Sequence, residues 1–152
     1  MVWHTVPALV QQLFPTRLWR KDSEENTVYL TFDDGPVPGV TEYVLEQLGK
    51  RRQKATFFVV GDNVRKNPIL AKEIISQNHE IGNHTYNHLN GWKTKKHLYL
   101  DNIELCDKIL EDQLGVKTKL FRPPYGMINP SQALEVSKFH QIVMWDMLSG
   151  DY

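Results

Sequence analysis

The sequence predicts an α/β domain built on a parallel β-sheet, and two observations lead to this fold class. Short β-rich apolar runs alternate five times with segments of helical periodicity. The composition is that of an ordinary globular domain, with 41% hydrophobic and 24% charged residues in a chain of 152. Because consecutive parallel strands are joined by right-handed crossovers, we expect a sheet that is either doubly wound or curled toward a barrel.

The predicted elements follow in chain order. A short amphipathic segment at 6–14 and a charged turn at 21–26 precede the first strand. The strands are predicted at 28–32, 56–60, 79–81, 118–121 and 141–145. The helices between them are predicted at about 40–48, 69–75, 94–114 and 131–139. Gly115 is the predicted stop signal of the longest helix.

Charge, hydropathy and cysteine usage exclude several classes of function. Eighteen basic residues balance eighteen acidic ones, so no net charge draws the protein to nucleic acid or to an anionic membrane. No stretch reaches the roughly 20 consecutive apolar residues of a membrane span. The single cysteine, Cys106, is predicted to be a buried structural thiol. The N-terminus lacks a basic leader, so a cytoplasmic location is the default expectation and the cell envelope is the alternative.

Polar side chains gather where the predicted strands end. The residues of this kind are Asp33, Asp34, Asn83, His84, His88, Arg122, Asp146 and Asp151. The carboxyl ends of parallel strands meet at one edge of the sheet, which is where α/β folds place their active sites. The pattern therefore predicts one common site.

His84 and His88 are spaced for metal binding. Side chains four residues apart point to the same side if the backbone makes a helical turn, and a carboxylate can complete a facial set of ligands. Two nitrogens and one oxygen suit Zn²⁺ and leave an open coordination position, as in catalytic sites. The alternative is a pair of surface histidines without a ligand.

Asp33 and Asp34 are adjacent and point in different directions from a strand end. One of them can bind a metal while the other takes a proton from a water molecule as general base. The alternative is an ordinary turn, because Asp-Gly-Pro is also a common turn sequence. The conjunction with the histidine pair favours the metal site.

Three motifs in this order resemble the signature motifs of polysaccharide deacetylases, carbohydrate esterase family four. They are TFDDGP at 31–36, HTYNH at 84–88 and RPPYG at 122–126, and the resemblance covers about 28–152. It implies a distorted, incomplete (β/α) barrel and a divalent metal, usually zinc and sometimes cobalt. It also implies hydrolysis of N-acetyl groups on N-acetylglucosamine units of a chitooligosaccharide or peptidoglycan type of glycan.

The resemblance also implies roles for individual residues. Asp34, His84 and His88 match the metal ligands of the family, and Asp33 matches its general base. Arg122 matches the arginine that orients the base. The backbone N–H of Tyr125 matches the donor that stabilises the oxyanion. The aromatic side chains Trp92, Tyr125 and Trp145 are candidates for walls that contact a sugar ring, with core packing as the alternative for Trp145.

The sequence departs from the family pattern near its end. In the fourth motif Asp151 matches the second aspartate, whereas Leu148 replaces the first aspartate and Tyr152 replaces a tryptophan. The fifth motif, which carries the general-acid histidine, would lie beyond Tyr152, so we expect the sequence to be part of a longer one. The predicted division is an N-terminal helical segment at 1–26 and a deacetylase domain at 27–152.

Other histidines do not supply the general acid. His140 precedes the fifth strand, at the opposite edge from the site. His4, His79 and His97 are predicted to be solvated or to cap helices. Two alternative functions therefore stay open: hydrolysis of another amide, such as a cyclic imide or ureide, and a catalytically impaired sugar-binding remnant.

Overall fold

A five-stranded parallel sheet forms the centre of the fold. The structure is a computed structural model that describes residues 5–21 and 27–150. The strands are β1 (Thr31–Asp33), β2 (Thr56–Val59), β3 (Glu80–Asn83), β4 (Leu120–Phe121) and β5 (Gln141–Ile142). The helices are α1 (Ala8–Leu13), α2 (Val40–Lys50), α3 (Gly61–Lys66), α4 (Pro68–Ser76), α5 (Lys96–Leu114) and α6 (Pro130–Val136), with a 3₁₀ turn at Pro124–Gly126.

The strand order is sequential, β1-β2-β3-β4-β5, and every pair is parallel. In a doubly wound sheet the order reverses at a switch point, whereas here it does not. Each strand is followed by the next strand on the same side, and crossovers between parallel strands are right-handed. The helices therefore all lie on one face of the sheet, as they do in a (β/α) barrel. Of the two predicted sheets, the barrel type is confirmed.

Two clusters of buried apolar residues fill the space between the sheet and its helices. The first joins β2 and β3 to α2, α4 and α5, and its members include Leu45, Phe57, Val59, Ile74, Ile81 and Leu110. The second joins β4 and β5 to α5 and α6, and its members are Tyr99, Ile103, Phe121, Ile128, Val136, Ile142 and Met144. The two clusters pack against the sheet, and the candidate site lies at the carboxyl ends of its strands.

Cys106 belongs to the first cluster and is fully buried. Its sulfur lies 3.7 Å from the carbonyl oxygen of Val59. Burial raises the pKa of the thiol to about 12. The prediction of a buried structural thiol is confirmed.

The predicted strand ends differ from the observed ones, and the largest differences are in β1 and β5. β1 begins at Thr31 rather than at 28, and Val28 is 81% exposed, because pairing with β2 starts where Thr31 lies opposite Thr56. β5 ends at Ile142 rather than at 145. Beyond it the backbone stays extended, but it bonds to the N-terminal segment, since Met144 N–H donates to the carbonyl of Leu18 at 2.8 Å.

The N-terminal segment packs along the end of β5. Leu18 forms a parallel bridge with Val143, and Thr5 an antiparallel bridge with Met147. The side chain of Gln11 donates to Asp146 Oδ1 at 2.8 Å. The segment therefore contacts the sheet directly, and its separation as a unit at 1–26 stays a prediction.

Helix α3 was missed, since a six-residue helix is too short to show a periodic pattern. The longest helix ends as predicted, with Gly115 in the left-handed conformation at φ 68. His79 was predicted to be solvated or capping, but it is buried, and its Nδ1 accepts a hydrogen bond from Ala55 N–H at 3.2 Å. No helix in the two described ranges is long and apolar enough to cross a membrane.

Candidate active site and metal centre

Three predicted ligands converge at the carboxyl edge of the sheet. Asp34 follows β1, and His84 and His88 follow β3. Asp34 Oδ1 lies 3.0 Å from His88 Nε2 and 3.4 Å from His84 Nε2. One ligand atom from each residue lies within 4.8 Å of the others. The predicted set of two nitrogens and one oxygen is therefore brought together.

The burial of these three side chains is uneven. The His84 side chain is 2% exposed, whereas that of Asp34 is 62% exposed. His84 therefore anchors the cluster in the core, and the Asp34 side faces solvent. An ion held by these atoms would keep a position open to water or substrate, as catalytic sites do.

His84 is oriented by a contact on the far side of its ring. Its Nδ1 lies 2.7 Å from the carbonyl oxygen of Arg122, and a carbonyl can only accept, so Nδ1 carries the hydrogen. Metal-binding histidines are commonly oriented in this way. Nε2 then faces the Asp34 carboxylate, 3.4 Å from its Oδ1. The donor set fits a divalent cation.

The imidazoles also fix the charge of Asp34. Hydrogen bonds from His84, the larger effect, and from His88 lower the pKa of the Asp34 carboxyl far below its usual range, while burial opposes the shift. Asp34 is therefore ionised at neutral pH, as a metal ligand must be.

The backbone between the two histidines is not the helical turn that the spacing suggested. Thr85 and His88 have positive φ angles of 63 and 55. The side-chain oxygen of Asn83 accepts from Thr85 N–H at 2.8 Å, and Thr85 Oγ1 accepts from Leu89 N–H at 3.1 Å. A loop held by side-chain hydrogen bonds, rather than a helix, brings the two rings together.

Arg122 is buried beneath Asp33. Its Nη1 donates to Asp33 Oδ1 at 2.8 Å and to Thr31 Oγ1 at 2.7 Å. Its Nε and Nη2 donate to the carbonyls of Val143 and Met144 at 3.3 and 2.6 Å. Burial lowers the pKa of the guanidinium, and the Asp33 carboxylate opposes this shift. The Arg122 guanidinium is thus a buried cation at the carboxyl edge of the sheet, and its hydrogen bond fixes the position of Asp33 Oδ1.

The predicted aromatic walls differ in exposure. Tyr125 is 60% exposed, and its ring centroid lies 4.6 Å from that of His88. Trp92 is 69% exposed. Trp145 packs against the second core cluster, as the core-packing alternative expected, so its contact with sugar stays a prediction.

One predicted site residue, Asp151, and two histidines that were not expected to belong to the site remain to be located. His140 pairs with Asp107 on α5, with Nε2 3.0 Å from Oδ2, and lies before β5 at the opposite edge, as expected. Asp151 and His4 lie outside the described residues.

The sequence pattern missed one side of the site. A cleft of about 340 Å³ beside Asp34 and His88 is lined by Asp62, Asn63 and Asn87. Asn63 Nδ2 donates to the backbone carbonyl of Asp34 at 2.7 Å. Asp62 and Asn63 lie in α3, the helix that the sequence periodicity did not reveal. The one sequence signal that could have assigned them to the site is that they follow the carboxyl end of β2 closely.

The comparisons with known proteins agree with this geometry. The family model described as polysaccharide deacetylase matches residues 20–145. A peptidoglycan-N-acetylglucosamine deacetylase of Bacillus cereus is 37% identical over 140 residues, which cover 90% of this chain and 65% of the relative.

Solved structures give the same result. The Bc1960 peptidoglycan N-acetylglucosamine deacetylase, in complex with 4-naphthalen-1-yl-N-oxidanyl-benzamide, aligns with a TM-score of 0.83 and 32% identity over 92% of this chain and 65% of that one. BA3943, a pseudoenzyme of carbohydrate esterase family four from Bacillus anthracis, aligns with a TM-score of 0.75 and 29% identity over 90% of this chain and 49% of that one. The chain thus spans 65% of the length of the Bacillus cereus relative. With the family model matched over most of its length, the chain belongs to the polysaccharide deacetylase family.

Proposed function

We propose that the protein is a metal-dependent hydrolase that removes N-acetyl groups from N-acetylglucosamine units of a glycan and releases acetate. The observation that carries this proposal is the convergence of Asp34, His84 and His88 beside the Asp33–Arg122 pair. The glycan is of the peptidoglycan or chitooligosaccharide type, and the names of the similar proteins favour the former.

Asp34, His84 and His88 would hold the metal, and zinc is the ion that this donor set suits best, with cobalt as the alternative. A bound divalent cation supplies Lewis acidity, which polarises an amide carbonyl and lowers the pKa of water. Cation binding requires the ligands to be deprotonated, and the lowered pKa of Asp34 meets that requirement.

Asp33 acts as the general base in this proposal. Arg122 occupies Oδ1, so the other carboxylate oxygen stays available to take the proton of the attacking water. The buried guanidinium keeps the carboxylate oriented and compensates its charge.

Tyr125 contributes through its backbone N–H, which we propose as the donor to the developing oxyanion. Its φ of 60 sets the direction of this peptide group. The exposed rings of Tyr125 and Trp92 are proposed to contact the sugar. Asp151 keeps its predicted catalytic role as a proposal.

A catalytically impaired sugar-binding protein is the second candidate. It is favoured by Leu148, which stands where the family has an aspartate, and by similarity to a described pseudoenzyme. Measured turnover separates the two candidates.

The deciding experiment is acetate release from N-acetylglucosamine tetramer by protein stripped with a chelator and then supplied with zinc. We expect activity only with zinc. Zinc-independent release would contradict the metal role, and glycan binding without release under any metal would establish the second candidate.

Metal binding has its own test in thermal unfolding. Zinc at 100 times its Kd should stabilise the fold by about 2.7 kcal/mol. We expect this shift in the wild type and in His97→Ala, whose side chain is exposed on α5, but a much smaller one in His88→Ala. An unchanged shift in His88→Ala would remove His88 from the ligand set.

A further inference from the structure

A second cleft, of about 540 Å³, lies between the N-terminal segment and the loop that follows Tyr125. The N-terminal segment forms one of its walls, with Phe14, Arg17 and Trp19, and the opposite wall includes Trp92, Gly126 and Met144. This cleft shares none of the lining residues of the polar cleft beside Asp34.

Two residues that line the cleft adjoin residues of the candidate site. Gly126 follows Tyr125, whose ring contacts that of His88. The carbonyl of Met144 accepts from Arg122, which holds Asp33. A glycan with its acetamido group at the metal would therefore extend a neighbouring residue into this cleft.

The aromatic rings of the cleft suit the apolar faces of a sugar. Trp92 is 69% exposed and Phe14 is 36% exposed, whereas Trp19 is half-buried. Trp19 Nε1 donates to the carbonyl of Phe14 at 3.1 Å, which ties the wall of the cleft together. Rings that are held in place and still exposed offer contact area at little cost in conformational entropy.

Arg17 gives the cleft a positive charge. Its guanidinium carbon lies 4.2 Å from the centroid of the Phe14 ring, and Nη2 donates to the carbonyl of Ile128 at 3.4 Å. Burial lowers the pKa of the guanidinium. No carboxylate within residues 5–21 and 27–150 forms an ion pair with it. A half-buried guanidinium without an ion-pair partner among the described residues is suited to bidentate pairing with a carboxylate of a ligand.

We propose that this cleft binds a carboxylate-bearing sugar residue adjacent to the residue that is deacetylated. Phe14 and Trp92 contact its ring, and Arg17 pairs with its carboxylate. The inference rests on the proposed function and deepens it, because it selects glycans that alternate N-acetylglucosamine with lactyl-ether sugars whose carboxylate is free of peptide over neutral chitooligosaccharides.

The selectivity therefore resides largely outside the part of the chain that the family model matches. That match begins at residue 20, and Phe14, Arg17 and Trp19 precede it. The N-terminal segment is a substrate-selecting wall in this proposal.

The test is a binding titration, which does not depend on turnover. Tryptophan fluorescence of metal-free protein is followed with two probes, the neutral N-acetylglucosamine tetramer and a peptide-free tetramer that alternates N-acetylglucosamine with N-acetylmuramic acid. We expect the wild type to bind the acidic tetramer more tightly. The preference is expressed as the Kd of the neutral tetramer divided by the Kd of the acidic tetramer. Arg17→Gln should lower this ratio about tenfold, because a charge-assisted bidentate pair is lost.

Two further variants keep the test decisive. Arg51→Gln removes an exposed cation at the end of α2 and should keep the wild-type ratio. Arg17→Lys keeps the charge without the fork and should give an intermediate ratio. A wild-type ratio in both Arg17 variants, or an equal fall in Arg51→Gln, would overturn the proposal. Failure of the proposed function would appear separately, as absence of acetate release from either tetramer with zinc.

Discussion

Backbone strain is concentrated in the residues of the candidate site. Among the described residues, six non-glycine positions have positive φ, and four of them, Asp34, Thr85, His88 and Tyr125, belong to the site. Such conformations cost on the order of 1–3 kcal/mol each and persist only where the surroundings enforce them. At Thr85 the surroundings include the hydrogen bond from its N–H to Asn83, and at Asp34 they include the hydrogen bond from Asn63 to its carbonyl.

The division of labour between the adjacent aspartates is tested by Asp33→Asn. An asparagine can still accept the hydrogen bond from Arg122, so the fold and the metal ligands should be retained. Turnover should fall by about 10² to 10⁴, because the amide cannot take a proton. The measurements are acetate release and bound zinc per chain.

Asp101→Asn, on the exposed face of α5, is the matched control and should behave as the wild type. Full activity in Asp33→Asn would show that another group accepts the proton.

At the scale of elements, the alternation of strands and helices could be predicted from the sequence because each long helix carries an apolar face. The helices α2, α4 and α5 begin and end within two residues of their predicted bounds. The errors have a common cause: strand ends are set by pairing partners rather than by local residues. β5 ends early because Met144 N–H donates to the carbonyl of Leu18, so that the chain pairs there with the N-terminal segment, a contact between distant parts of the sequence.

The loop after His88 is held by close backbone approach, which Gly91→Ala tests. A Cβ at Gly91 would lie 2.4 Å from the carbonyl oxygen of Met127 and 2.8 Å from Gln132 Oε1. Since backbone must shift, we expect the free energy of unfolding to fall by roughly 1–3 kcal/mol, as measured by urea denaturation.

Gly49→Ala is the matched control, because a Cβ there meets nothing within 4 Å and the residue lies in α2. It should stabilise the protein by roughly 0.5–1 kcal/mol. Equal effects of the two substitutions would show that the contact at Gly91 is relieved without cost.

At the scale of the whole molecule, the parallel sheet explains why the candidate site could be predicted at all. Side chains after β1, β3 and β4 must meet at one edge whatever the lengths of the connections. The distances within the site could not be predicted, since they depend on left-handed residues and on Arg122 reaching carbonyls near β5. The cleft around Arg17 was also hidden, because it forms only when the N-terminal segment packs on the sheet.

The stability of the fold should depend on pH through His79. Burial, with a smaller effect of Lys54, lowers its pKa from the usual 6.5, so the folded state resists protonation. Above pH 6.5 the ring is neutral in both states; as pH falls below that value the unfolded chain takes up the proton first and stability is lost. Thermal unfolding at pH 7.5 and 5.5 measures this loss.

His79→Asn can keep the hydrogen bond from Ala55 N–H and should lose less stability over the same interval. His97→Asn, on the surface of α5, should follow the wild type. Identical pH dependence in all three proteins would assign the loss to other groups.

The burial of Cys106 makes its thiol a natural probe of local unfolding in the first core cluster. The chain holds one thiol, and that thiol lies in the cluster joining β2, β3 and α5, so an alkylating reagent can modify it only after those elements separate. Mass spectrometry of a timed labelling reaction gives the fraction of chains modified at each time. The labelling rate would therefore report how often this part of the molecule opens, without an introduced probe.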